Sequence, residues 1–129
     1  MVIQNMLEPD FNLQTIFNGN TVILASEKAS SLALVINELI QNSIEHGFIG
    51  RREGMIGVDI ATLEKTYQVD IYDNGIGLPD GFSPQNSNSL GLQIVRTLIE
   101  DDLGGSFQLY ANNGTHACIT IPREVEGGK

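Results

Sequence analysis

Basic residues are scarce in this chain: Lys and Arg total 7 against 16 Asp and Glu over 129 residues, for a formal net charge of -9. That balance excludes nonspecific attachment to a nucleic-acid backbone or to an anionic membrane, since both need a positive surface. It leaves nucleotides open, because phosphates are also held by backbone N–H groups and by a metal ion. Cysteine is almost missing. Cys118 stands alone, so no intrachain disulfide is possible, and a cytoplasmic setting is expected. No apolar run is long enough to span a bilayer. The start, Met1-Val2-Ile3-Gln4-Asn5, has no basic region and no apolar stretch, so it is not read as a signal peptide.

What is present is globular. Hydrophobic residues make up 41% of the chain, which argues against disorder. The length suits one domain with its own core. There is no internal repeat and no linker, so a single domain over residues 1–129 is expected, with its core at about 11–122.

Patterning divides the chain into strands and two helices. Residues 11–17 and 21–25 read as short strands joined by a hairpin at Asn18-Gly19-Asn20. Ser26 reads as the N-cap of a helix over 27–46 that stops at Gly47, with Leu32, Val35, Ile36, Leu39, Ile40 and Ser43 on its inward face. After a turn at 51–54, Ile56, Val58 and Ile60 alternate with Gly57, Asp59 and Ala61 in a strand, and residues 67–73 form its neighbour. Residues 78–88 are a polar loop. A second helix is expected over 89–103, ended by Gly104-Gly105, with Leu92, Val95, Leu98, Ile99 and Leu103 inward. Strands over 106–111 and 115–122 flank Asn112-Asn113-Gly114, and a polar tail follows. Strands and helices mix without strict βαβ order. An α/β sandwich follows, with a mixed sheet and helices on one face.

The most informative segment is Asp73-Asn74-Gly75-Ile76-Gly77-Leu78-Pro79. In the strand before it, Tyr67, Val69 and Ile71 point one way and Gln68, Asp70 and Tyr72 the other. Asp73 continues the apolar side. A carboxylate there needs a donor, and the following glycines let a ligand approach the backbone. Asn-Gly is also a hairpin signal, but no second alternating strand follows at once.

Other constellations are weaker alone. Glu38 and Asn42 lie one turn apart on one helix face. An amide oxygen at Asn42 suits Mg²⁺, and the carboxylate of Glu38 suits orienting or deprotonating a nucleophile. A solvated i, i+4 pair has the same spacing. His46 at the helix end is either structural, favoured by the helix dipole, or packed on a ligand. Ser89-Leu90-Gly91-Leu92 opens the second helix with free N–H groups, a site for phosphate. Thr115 points toward the core, where its hydroxyl is able to reach Asp73 or a ligand, though a β-branched residue is common in any strand. His116 and Cys118 fall on the opposite face, with too few ligands for zinc.

The order of four segments carries more than any one of them. Asn37-Glu38-Leu39-Ile40-Gln41-Asn42-Ser43-Ile44-Glu45-His46, then Asp73 to Pro79, then Ser89-Leu90-Gly91-Leu92-Gln93-Ile94-Val95, then Gly114-Thr115 closely resemble the N, G1, G2 and G3 boxes of the gyrase/Hsp90/histidine-kinase/MutL (GHKL) ATPase superfamily. Within it the chain is most similar to the catalytic, ATP-binding domain of a bacterial sensor histidine kinase, of the branch whose phosphoacceptor domain is of the second type. That resemblance implies the two-layer α/β sandwich of the Bergerat fold, with ATP and Mg²⁺ as ligands. It implies that Asp73 accepts from the adenine amino group, that Thr115 supports Asp73 or a bridging water, and that Gly75 and Gly77 let the backbone pass the base. Asn42 would ligate Mg²⁺, Ser89, Leu90, Gly91 and Leu92 would present N–H groups to the phosphates, and His46 would lie near adenine or ribose. Glu38 would orient the acceptor imidazole.

The implied partners are a helical phosphoacceptor domain of the parent kinase and a response regulator downstream, with no nucleic acid and no direct membrane contact. Two positions depart from the pattern: Glu45 stands where Lys or Arg is frequent, and Ser89 where Gly is. Two other readings stay open here, a stand-alone anti-sigma-type serine kinase and a non-catalytic adenine-nucleotide module.

Overall fold

The computed structural model describes residues 11–78 and 90–123. Five strands form one sheet: β1 (Asn12–Gly19), β2 (Glu53–Thr62), β3 (Thr66–Asp73), β4 (Ser106–Ala111) and β5 (Thr115–Pro122). Their order across the sheet is β1-β2-β3-β5-β4. Only β1 and β2 run parallel; the other three pairings are antiparallel. Parallel neighbours need a crossover connection. Here α1 (Ser26–Asn42) supplies it, followed by a π-helical turn at Ser43–Gly47. The second helix, α2 (Leu90–Thr97), also runs into a π-helical turn, Leu98–Asp102.

The expected hairpin at 18–20 does not form. Gly19 has φ of 125°, and Asn20 stays on the edge of β2, its N–H donating to the Ile60 carbonyl at 3.3 Å. The Asn20 side chain accepts from the Thr62 N–H. Residues 21–25 are therefore not a strand; the Ile23 N–H donates to the Tyr67 hydroxyl at 3.1 Å, and Val22 and Leu24 pack against the core. A turn residue able to adopt positive φ serves here to leave the sheet rather than to reverse it.

The helix boundaries also shift. Ser26 is the first helical residue and not the cap; Ala25 takes the cap position without a side-chain bond, and its carbonyl accepts from the Ala29 N–H at 2.9 Å. Regular α-helix stops at Asn42, four residues before the expected end, because the backbone widens into the π turn. The loop expected at 78–88, apart from Leu78, lies outside the described residues, as do Ser89 and the tail beyond Arg123.

The core lies between the sheet and the two helices. Val35, Leu39 and Ile40 from α1 and Val95 and Ile99 from the second helical segment meet Val58, Val69, Ile71, Ile119 and Ile121 from the strands. Alternation puts the strand residues there, and spacing by three and four puts the helical ones there. Ser31 on α1 donates to Asp102 Oδ2 at 2.9 Å, tying the two helical segments at their far ends. The β4–β5 hairpin forms as expected. Asn113 has φ of 53°, and the Asn112 N–H donates to the Gly114 carbonyl at 3.0 Å.

Candidate nucleotide site

A cavity of about 590 Å³ opens between the last turns of α1, the end of β3 and the start of α2. Its volume is within the usual range for small-molecule sites, on the order of 300–1,000 Å³. Most of its wall is apolar, with Leu39, Ile71, Ile76, Leu78, Leu92 and Leu109 prominent. The polar groups converge from three elements: Asn42, Ser43 and His46 from the helix, Asp73 from β3, and Thr115 from β5.

Asp73 is the pivot. It is only 3% exposed, and its Oδ1 accepts from the Gly75 N–H at 2.8 Å and from the Thr115 N–H at 3.2 Å. Among the described residues no donor reaches Oδ2. The carboxylate faces a mostly apolar slot, where a donor from a ligand would find little competition from water. Such an arrangement suits a flat apolar group that carries an N–H donor at one edge. Thr115 supports Asp73 through its backbone N–H and not through the expected hydroxyl.

Glycines make this geometry possible. A Cβ on Gly75 would fall 2.3 Å from the Gly47 carbonyl oxygen, which instead accepts from the Ile76 N–H at 2.9 Å. A Cβ on Gly114 would fall 2.0 Å from the Asp73 carbonyl oxygen. The Asp73 loop is also anchored from outside: the Asn74 side chain accepts from the Met55 N–H at 2.8 Å, and Arg51 donates to the Asn74 carbonyl at 2.7 Å. Among the described residues no strand includes or pairs with residues 74–78, and the chain does not turn back on β3 after Asn74-Gly75 as a tight hairpin would.

Of the expected site residues, Asn42, His46, Asp73, Gly77, Leu92 and Thr115 line the cavity together. Gly75 is buried just behind the lining. Glu38 is half-buried one turn before Asn42 and does not line the cavity, and neither do Leu90 and Gly91. Leu90 is largely exposed on the outer side of α2. Ser89 lies outside the described residues. Ser43, Gly47 and Ile49 line the cavity without having been singled out as ligand contacts. Ser43 was legible as inward at four residues from Leu39; the placing of Gly47 depends on a π turn that carries no local signal. Among the described residues no group of three or more His, Cys, Asp and Glu side chains is placed to hold a metal ion, and no helix is long and apolar enough to cross a membrane.

Residues 27–125 match the family model described as histidine kinase-, DNA gyrase B-, and HSP90-like ATPase. The chain belongs to that ATPase family. The sensor histidine kinase PdtaS of Mycobacterium tuberculosis is 40% identical over 107 residues, covering 81% of this chain and 21% of PdtaS. This chain therefore spans about a fifth of the length of that relative. The structure of the Erythrobacter litoralis EL346 blue-light activated histidine kinase superposes with a TM-score of 0.80 at 25% identity, covering 93% of this chain and 37% of that one. The serine-protein kinase RsbW of Listeria monocytogenes is more distant, 25% identical over 108 residues, covering 73% of this chain and 66% of RsbW. The mixed sheet with both helices on one face is the two-layer sandwich of the histidine-kinase branch.

Proposed function

We propose that this chain is the ATP·Mg²⁺-binding catalytic domain of a two-component sensor histidine kinase. It transfers the γ-phosphoryl group to a histidine on a separate helical domain, from which a response regulator takes it. The observation that carries the reading is Asp73: a carboxylate closed off from solvent, fixed through one oxygen and turned toward an apolar slot. Adenine meets it with an exocyclic amine, whereas guanine presents a carbonyl at the same edge.

The other residues take roles by position. His46 lies at the mouth beside the sugar. Asn42 offers an amide oxygen to Mg²⁺. The absence of any acidic or histidine cluster among the described residues suits an ion held mainly by phosphate oxygens and water, which is how Mg²⁺ prefers to bind. The N–H groups of Leu90, Gly91 and Leu92 at the start of α2 hold the phosphates, and the motif assigns Ser89 to the same task. Glu38, outside the cavity lining, is positioned to orient the incoming imidazole and not to touch the base. With Glu45 in place of a cation, more of the phosphate charge falls to the metal ion. Transfer of this kind depends on positioning and charge stabilisation. The identity of 40% to a sensor histidine kinase against 25% to a serine kinase favours histidine as the acceptor.

The test is calorimetric titration of ADP·Mg²⁺ into the wild type and Asp73→Asn. Loss of a charged hydrogen bond to the base is expected to weaken binding by about 1.5–3 kcal/mol, roughly 10- to 150-fold. Equal affinities, or no binding by the wild type, would sink the assignment. Neither His46 nor His116 has the setting of a phosphoacceptor. This chain alone is therefore expected to bind nucleotide without acquiring acid-labile phosphate from labelled ATP.

A further inference from the structure

The sheet face away from the helices carries a second set of groups that nucleotide binding does not use. Gly57, Tyr72, His116 and Tyr110 lie in one register row across β2, β3, β5 and β4. Their rings are nearly parallel: Tyr72 and His116 are 5.5 Å apart between centroids at 16°, and Tyr110 and His116 are 5.1 Å apart at 12°. Tyr72 leans over the glycine, where a Cβ would lie 2.2 Å from its ring. The next row places Asp59 and Asp70 directly opposite each other on β2 and β3. Like charges in that position destabilise an antiparallel pair. No Lys or Arg stands in either row to offset them. Asp70 Oδ2 lies 3.3 Å from His116 Nδ1, while Asp70 Oδ1 is buried and has no hydrogen-bond partner among the described residues, so Oδ2 and Asp59 are the acceptors left to a docking group.

We propose that this open face is a docking surface for an arginine-bearing segment of a separate, basic protein. A guanidinium is planar and stacks on aromatic rings, and its forked N–H groups match paired carboxylates. Tyr110 is 43% exposed and offers ring surface at the end of the row. Among the described residues no Lys or Arg is paired with either carboxylate, and only the His116 imidazole stands beside Asp70; arginine supplies a permanent cation. A second copy of this chain is a poor occupant, because a net charge of -9 repels its own kind. Nucleic acid is excluded on the same ground. The docked segment would lie on the side of the sheet opposite the cavity, so it would leave nucleotide access open.

The experiment is an amide chemical-shift titration of the labelled chain with a capped glycine-spaced arginine peptide and with its lysine counterpart. Shifts are expected at Asp59, Asp70, Tyr72, Tyr110 and His116, with the arginine peptide binding about fivefold more tightly or better, since only arginine stacks and forks. Tyr110→Ala and Asp70→Asn should each remove most of that preference and leave ADP affinity unchanged. No shift, equal binding of both peptides spread over the acidic surface, or retention of the preference in both variants would overturn the proposal. So would a dimer in sedimentation that buries this face.

Discussion

Asp70 and Asp73 stand three residues apart on β3 and point to opposite sides of the sheet. Asp73 is closed in by the helical layer, and backbone N–H groups from two other segments fix one of its oxygens. The side chain of Asp70 is 31% exposed, but only in part toward water: Oδ2 lies beside His116, Oδ1 is buried without a hydrogen-bond partner among the described residues, and another carboxylate faces it across the strand pair. The same residue type on one strand is therefore a rigidly held acceptor on the covered face and a loosely balanced charge on the open one. The donors make the difference: Asp73 Oδ1 has two backbone N–H groups, and Asp70 Oδ1 has none among the described residues. In a low-dielectric site an acid persists only where donors are preorganised. With part of its side chain still reaching water, Asp70 tolerates an unfavourable neighbour at a cost of tenths of a kcal/mol to about 1 kcal/mol.

The contrast between the two faces is open to direct attack. The largest effect is expected on β5, where Ile119 is fully buried and Thr120 faces outward. Ile119→Ala should lose about 2–5 kcal/mol in urea unfolding, whereas Thr120→Ala should stay within about 0.5 kcal/mol. Similar losses at both would mean that the open face is also packed. Next, Gly75→Ala forces a methyl toward the Gly47 carbonyl. About 1–3 kcal/mol of stability should go, as for other overpacked sites, and nucleotide affinity with it, because the donor to Asp73 moves. Retained affinity would show that the Gly75 N–H is dispensable.

Smaller effects belong to the open face. Asp59→Asn removes one of two opposed charges and keeps an acceptor for the Tyr72 hydroxyl. A gain of roughly 0.2–1 kcal/mol is expected, read as a raised midpoint in thermal unfolding. A loss would show that the acid pair is structural. The smallest effect is chemical. Burial first, and the Asp70 carboxylate second, push the Cys118 thiol above its ordinary value of 9.0. A raised pKa leaves less thiolate at any pH below it, so iodoacetamide should react more slowly than with a free thiol and speed up only in more alkaline buffer. Asp70→Asn should move that profile toward lower pH. An unshifted profile would separate Cys118 from Asp70.

Much of this architecture was legible along the chain. The alternation of β3 and β5 and the helical spacing of α1 assign inward residues correctly, because those periods follow from local backbone geometry. The misreading at 18–25 has the same root. Asn18-Gly19-Asn20 looks like a reversal when only neighbours are considered, but the partner of β1 is β2, about forty residues further on. Asn42, His46, Asp73, Gly77, Leu92 and Thr115 were named as ligand residues and do share one cavity. Gly47 was read as a helix stop, and only the π turn brings it against Asp73, where its Cβ position lies 3.6 Å from both carboxylate oxygens.

The amino-acid order by itself determined which faces are apolar, where both helices and all of the expected strands but the misread segment at 21–25 run, and that an aspartate would sit on the wrong side of a strand for its charge. These follow from side-chain periodicity and from the conformational freedom of a few glycines. Only the tertiary structure decided that β1 runs parallel to β2, that Thr115 holds Asp73 through its backbone, and that Asp59 opposes Asp70. Each of these depends on register between segments distant in sequence. Register is settled by the packing of the whole core and not by any local preference.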